Sequence, residues 1–312
     1  MIVFCGEALI DMIPTETVGG EQGYVPQAGG AVFNIAIAFG RLGARAGILK
    51  GFRTNLFGQQ LSESMEASHL DLSQIVRSDR LPTLTFFPLT DGHVTYSFHC
   101  ESSAGRMLSY NDMLARPAEV SGLHFGGISL SCDSGADACA ALLEQQSADR
   151  AVMIAPNIRA NFVRTADQYR SRLEEMIARV DIVKVSDEDL DLILTEPISL
   201  QEKVKAVITM EPSVVILTRS SEDATCYLCG GGQVHVPAGS VEIANTVGVG
   251  DTFNGGLLAK LLELGELRKI DLRNPLEFSL KLALQHGSGV AAVTVTRAEA
   301  NTPWAAGLAM ES

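Results

Sequence analysis

No stretch of the chain approaches the roughly 18 uninterrupted apolar residues that a membrane-spanning helix needs, so no membrane partner is expected. Basic residues are few: 24 Lys and Arg stand against 37 Asp and Glu, a formal net charge of −13. No basic stripe offsets that excess, which argues against nucleic acid as a partner. The first 20 residues carry Glu7, Asp11 and Glu16 and lack a basic start, so no signal peptide is expected and the chain is read as cytoplasmic. Six cysteines (Cys5, Cys100, Cys132, Cys139, Cys226 and Cys229) are scattered without a disulfide framework. Cys226-x-x-Cys229 has no second Cys/His pair at ligand spacing, and it reads as a strand before the Gly230-Gly231-Gly232 turn. A P-loop is excluded because Gly-x-x-x-x-Gly-Lys-[Ser/Thr] occurs nowhere. Gly-x-Gly-x-x-Gly is also missing after the first apolar run, which makes a nicotinamide dehydrogenase remote.

What is present is 46% hydrophobic and 20% charged residues over 312 positions, enough apolar mass for a large soluble core. Met1 to Cys5 is a continuous apolar run ended by Gly6, which suits a strand buried on both faces. Residues 29–43 read as a buried helix with glycines at its start and Gly43 at its stop. Further strands are expected at 123–128, 151–155, 181–186 and 214–218, and helices at 59–70, about 133–146, after 186 and over 278–292. That spacing predicts a single α/β domain over 1–312, a mostly parallel sheet with helices on both faces. Ligand residues should gather at the carboxyl ends of its strands, where Asp11, Asn157 and Asp189 fall. Two segments interrupt the alternation. Residues 12–28 read as a short excursion, and 83–99 as a hairpin turning at Asp91-Gly92.

The most informative stretch is Asn245-Thr246-Val247-Gly248-Val249-Gly250-Asp251-Thr252-Phe253-Asn254-Gly255-Gly256, running directly into an apolar helix. Gly248 and Gly250 allow a sharp turn, and the unpaired N–H groups of a helix start converge on an anion, most commonly a phosphate. Asp251 then has two readings. It is the N-cap of that helix, or a carboxylate that accepts the proton of a hydroxyl attacking the phosphate. A phosphate would need local cations or metal against the chain's negative field.

This stretch resembles the C-terminal signature of the ribokinase-like (PfkB) sugar kinases, and Gly29-Gly30-x-x-x-Asn34-x-Ala36 through Arg41-Leu42-Gly43 resembles the N-terminal one. The resemblance implies a three-layer αβα sandwich with a small β lid, the lid strands drawn from about 12–28 and 83–110. It implies ATP and Mg²⁺ as cofactors and a sugar as substrate, with Asp251 as base and the amides of Gly248, Val249 and Gly250 as anion hole. By the same resemblance Asp11, Gly30 and Asn34 contact sugar hydroxyls; from the residues alone, Asp11 reads as a solvated loop carboxylate, and Asn34 as a paired core asparagine or a partner for a ligand hydroxyl. Glu101 to Leu108, Pro156-Asn157-Ile158-Arg159 and Lys184-Val185-Ser186 resemble the fructokinase branch. They imply substrate contacts from Arg106, Asn157 and Arg159, with a surface arginine as the other reading of Arg106. They also imply nucleotide contacts from Lys184, and a Mg²⁺–water contact from Asp189, whose alternative is an acidic first helical turn. Thr218, Arg219, Gly287 and Ser288 fall where the family holds its nucleotide, and Val293 to Arg297 where it has a closing strand. Asn55, Ala155, Ser220 and Asp223 depart from the pattern; Asn245 and Glu299 depart from it too, so potassium activation is not expected. Fructose, phosphorylated on its 6-hydroxyl, is the expected acceptor, with 2-keto-3-deoxygluconate the main alternative and a nucleoside less expected. A sugar-binding protein that has lost catalysis is the reading from a different class. A homodimer through the lid is a further implication.

Overall fold

The structure is a computed structural model and describes residues 1–312 except 53–54, 88, 91–92, 95–96, 114–118, 220–221, 240, 298–300 and 312. The chain opens with β1 (Ile2–Cys5), a hairpin of β2 (Leu9–Glu16) and β3 (Gln22–Gly29), then α1 (Ala31–Arg41), β4 (Ala46–Phe52), α2 (Leu56–Ala67) and β5 (Ile75–Arg77). Four short strands follow: β6 (Leu84–Phe86), β7 (Leu89–Thr90), β8 (His93–Val94) and β9 (Ser97–His99). Alternation then runs through β10 (Gly122–Gly126), α3 (Asp133–Gln146), β11 (Ala151–Ala155), α4 (Ala166–Ile177), β12 (Ile182–Ser186), α5 (Asp187–Ile193), α6 (Leu200–Ile208) and β13 (Val214–Arg219). An antiparallel pair, β14 (Asp223–Leu228) and β15 (Gln233–Pro237), precedes α7 (Val249–Glu263), α8 (Lys269–Leu272), α9 (Glu277–Val295) and α10 (Ala305–Glu311).

Nine strands make the large sheet in the order β15-β14-β13-β12-β11-β10-β1-β4-β5, parallel from β13 to β5 and antiparallel at β14 and β15. Side chains alternate across a strand, so β1 feeds two cores. Ile2 and Phe4 join the apolar faces of α1, α7 and α9, whereas Val3 and Cys5 join those of α3, α4 and α6. Burial on both faces is why β1 reads as an unbroken apolar run. None of the described helices is long and apolar enough to cross a membrane.

Three glycines let the helices of the first core close up. A side chain on Gly255 would place its first carbon 2.5 Å from Ala38 Cβ, so α7 meets α1 there with nothing between. One residue on, the first carbon at Gly256 would lie 3.0 Å from Gly287 Cα, and one at Gly287 would lie 2.9 Å from the Phe253 carbonyl oxygen. Gly287 is therefore a contact point between α7 and α9. Backbone approach of this kind excludes any side chain.

The structure corrects two readings of the residues. Residues 12–28, which the resemblance assigns to lid strands, are not an excursion but the hairpin β2–β3, which joins β6 and β9 in a second sheet ordered β3-β2-β6-β9. Pro14 and Pro26 disguise these strands. Both are tolerated because β3 is an edge and because β6 covers β2 only at Ile10–Met12, short of Pro14. The expected closing strand at 293–297 is instead the last turn of α9, with Thr296 as its C-cap. Thr294 Oγ1 donates to the Val290 carbonyl, and burial of Val290, Thr294 and Val295 overrides their β preference. At the expected hairpin, β7 pairs with β8 and β6 with β9; its turn, Asp91-Gly92, lies outside the described residues. Ser220, Ser221, Glu299 and Ala300 also lie outside them.

Candidate active site

Under the small sheet, at the carboxyl ends of β1, β10, β11 and β12, lies a cavity of about 270 Å³. A wider cleft of about 900 Å³ runs between α7, α9 and α10, but its walls are mostly apolar and carry only Glu263 and His286 as titratable groups. Convergent charge singles out the smaller one. Parallel strands all end on one side, so the loops after β1, β10, β11 and β12 deliver Glu7, Gly127, Asn157, Arg159 and Asp189 to a common floor. The small sheet contributes Asp11, Thr85 and Phe98, and the starts of α1 and α7 contribute Gly30, Asn34, Gly248, Gly250 and Asp251.

Helix α7 begins at Gly248, which is its N-cap in the left-handed region at φ 75° and gives no side-chain cap. Asp251 is thus the third residue inside the helix and not the N-cap. The amides of Val249, Gly250 and Asp251 have no intrahelical partners, as at any helix start. Nothing lies within 4 Å of the position a Gly250 side chain would occupy, so that edge of the turn is open. Val249 packs its side chain against the core, leaving only its main chain to face a ligand. Upstream, Asn245 Oδ1 accepts from the Val247 amide at 2.9 Å and shapes the approach to the turn.

Asp251 Oδ2 accepts from Asn34 Nδ2 at 3.0 Å. Burial pushes the Asp251 carboxyl up to about 6; Asn34, Arg159 and Lys184 pull it down, and Glu7 pushes it further up. Asp11 is raised to about 7, again mainly by burial, with the Thr85 hydroxyl pulling down and the charges of Glu7 and Asp251 adding to the rise. Lys184 is buried in β12 and its ammonium is pushed below its usual range by desolvation, against the attraction of Asp189, Asp251 and Asp187. Arg159 donates to Asn157 Oδ1 at 2.8 Å, and Asn157 itself holds φ 45° to turn the chain after β11.

Each Asp189 carboxyl oxygen accepts one main-chain amide. Its Oδ1 accepts from Ile158 N at 2.8 Å and its Oδ2 from Ser186 N at 3.0 Å, while Ser186 Oγ caps the Asp189 amide. This capping box starts α5 and clamps the loop after β11 onto it. Among the described residues no group of three His, Cys, Asp or Glu side chains could hold a metal.

Several expected residues lie elsewhere. Arg106 does not line the cavity; its Nη1 donates to Cys100 Sγ at 3.5 Å. Thr218 and Arg219 end β13, where Arg219 pairs with Asp223 and, at 3.1 Å, with Glu222. Ser288 is half-buried on α9. Neither it nor Gly287 reaches the cavity.

Other residues were not anticipated. Glu7 Oε1 accepts from Ala31 N at 3.0 Å and its main-chain oxygen from Phe33 N at 3.1 Å. Helix α1 has no side-chain cap and no acid in its first turn, so Glu7 supplies both from the end of β1. A side chain on Gly127, at φ 65°, would strike both Glu7 carboxyl oxygens. The glycine pair after β10 was the one sequence signal for this packing. Glu7 Oε2 and Asn254 Oδ1 are buried without a partner, and both residues line the cavity. Each such atom costs about 1–3 kcal/mol. That cost is repaid where a ligand supplies the partner.

A raised carboxyl beside an open helix start, with two cations and two unpaired polar atoms, can take a proton from an alcohol and hold a phosphoryl group. On a ribokinase-like αβα fold, that is the site of an alcohol phosphotransferase. The chain belongs to the pfkB family of carbohydrate kinases, whose pattern matches residues 1–306. A fructokinase of Rhizobium leguminosarum bv. trifolii is 39% identical over 265 residues, covering 84% of this chain and 79% of the relative. The fold is shared with the fructokinase from Xylella fastidiosa with bound ATP, at TM-score 0.85 and 24% identity over 96% of this chain and 93% of that one. It is shared too with the fructokinase from Vibrio cholerae O395 in its fructose, ADP and calcium ion bound form, at TM-score 0.81 and 22% identity over 98% and 95% of the two chains. The protein is an ATP-dependent sugar kinase with fructokinase relatives.

Proposed function

We propose that this kinase transfers the γ-phosphate of ATP to the 6-hydroxyl of fructose, with Asp251 as general base. The observation that carries the reading is the Asn34–Asp251 hydrogen bond at the open start of α7, in the same cavity as Asp11. Asp251 takes the proton of the attacking hydroxyl, and the amides of Val249, Gly250 and Asp251 stabilise charge on the transferred group. Lys184 and Arg159 offset the phosphate charge that the chain's negative field opposes. Asp11, Asn34 and Gly30 hold sugar hydroxyls, joined by the unpaired Oδ1 of Asn254. The small sheet acts as the lid, keeping water from the phosphoryl group. Resemblance alone extends the nucleotide towards Thr218, Arg219 and Ser288. The donor set suits a divalent ion carried by the phosphates through water, with Asp189 facing that water, and does not suit a protein cage. Mg²⁺ held there would neutralise charge on the phosphates. The exposed Tyr24 and Val25 of β3 are where two copies would meet through the lid.

A 2-keto-3-deoxy acid needs an additional cation for its carboxylate, and Arg106 is turned to Cys100, which favours the neutral sugar. Measuring ADP release over a panel of sugars, keto-deoxy acids and nucleosides tests the assignment. Turnover should be highest with fructose and the product should carry phosphate on the 6-position. Preference for an acid or a nucleoside would overturn it.

A further inference from the structure

Arg106 serves a different chemistry from the cavity's. Its Nη1 lies 3.5 Å from Cys100 Sγ, and Cys100 directly follows β9, the last strand of the small sheet. Cys132 is the residue on which α3 starts. The first turn of α3 lies against the same loop, since a side chain on Gly135 would meet the main-chain oxygens of Gly105 and Arg106 at 3.3 Å. This packing brings the start of α3, which carries Cys132, against the loop that carries Cys100 and Arg106, and each thiol acts on the titration of the other. We infer that Cys100 and Cys132 are an oxidation site, a dithiol that hydrogen peroxide converts to a disulfide joining the small sheet to α3.

The two thiols are differentiated for that reaction. Cys132, Arg106 and Arg164 draw the Cys100 thiol down to about 6 against the opposing effect of burial, while Cys132 is pushed up by Cys100 and by burial. Cys139 and Cys226 are raised to about 12 by burial and stay protonated. The Arg106 guanidinium beside Cys100 favours its thiolate, the form that attacks. Its sulfur attacks one peroxide oxygen, the O–O bond breaks, and the departing hydroxide takes a proton to become water. Cys132 then gives up its proton and its sulfur attacks the Cys100 sulfenic acid, forming S–S and releasing the second water. Two thiols are oxidised and one peroxide is reduced to two waters.

The bond would clamp the sheet carrying Asp11, Thr85 and Phe98 to the segment just after Gly127 and Ile128, which line the cavity on the other side. The expected loss of turnover rests on the kinase reading with the small sheet as lid; the thiol chemistry does not. Peptide mapping of the intact enzyme after peroxide treatment should find Cys100 linked to Cys132, formed before the exposed Cys229 is oxidised and reversed by dithiothreitol. Cys132→Ser should stop at a Cys100 sulfenic acid that dimedone traps, and Arg106→Gln should slow the first step. Oxidation of Cys229 with Cys100 and Cys132 left as thiols, or Cys132 linked to Cys139, would overturn the assignment. A Cys100–Cys132 bond with undiminished turnover would refute the clamp. An enzyme inactive on every sugar before oxidation would instead count against the kinase reading.

Discussion

Asn34 and Asp251 stand 217 positions apart in sequence, and the amide of one donates to the carboxylate of the other across 3.0 Å. The bond ties the first turn of α1 to the first turn of α7. It is possible because Gly255 lets the two helices touch directly. One side of the cavity is thereby held rigid, with Asp251 aimed and partly charged.

Asp251→Asn should remove the base and lower turnover by about 10²–10⁴-fold with the fold intact. Its stability has a predictable sign. A carboxyl raised from 3.8 to about 6 binds more protons folded than unfolded between those values, so stability falls as pH rises through that window. The asparagine variant escapes that cost and should melt no lower than wild type at pH 7. Steady-state kinetics and thermal melts check both parts, and near-normal turnover would remove Asp251 from the role.

Turnover should rise with pH through an acid limb near 6, broadened by Asp11, which titrates near 7 in the same cavity. Glu7→Gln removes a negative neighbour of Asp251, so the limb should move to lower pH. The glutamine still offers an oxygen to the Ala31 amide, which keeps α1 capped. A pH–rate profile in which the variant moves the limb upward would contradict this electrostatic account.

Asn34→Ala should have the opposite effect. Losing the donor to Asp251 disfavours its charged form, shifting the acid limb to higher pH and leaving part of the lost turnover recoverable in alkaline buffer. A pH-independent loss would mean that Asn34 acts only through the sugar.

Asp189→Asn should destabilise by about 1–2 kcal/mol, because an amide has one acceptor oxygen where Ile158 N and Ser186 N need two. The loop carrying Asn157 and Arg159 should loosen with it. A lower urea midpoint with KM raised more than kcat is lowered is the expected pattern.

Gly256→Ala pushes a methyl to 2.9 Å from Val290 Cγ2 and 3.0 Å from Gly287 Cα, an overpacking cost of about 1–3 kcal/mol. Gly255→Ala meets Ala38 Cβ at 2.5 Å and the Ile35 carbonyl at 3.0 Å, so it should cost more and also disturb Asn34. Urea titration of the pair, with turnover measured alongside, checks the order.

The parallel sheet was legible because strands buried on both faces read as apolar runs and their helices as periodic ones. The turn from Gly248 to Asp251 was legible because an anion hole needs consecutive small residues at a helix start, which is a local requirement. Strands β2 and β3 were legible only through the resemblance, since their prolines look like loop and are permitted only by edge positions that the sheet creates. The end of α9 was not legible, because its β-branched residues follow burial instead of preference. Sequence by itself determined the fold class and most of the polar groups in the cavity, because these are properties of short contiguous patterns. Only the tertiary structure decided that Glu7 caps α1, that Gly287 is a packing contact, that Asp189 is held by main-chain amides and that Arg106 donates to Cys100. Each of those roles is set by a neighbour distant in the chain, and no local pattern encodes which neighbour arrives.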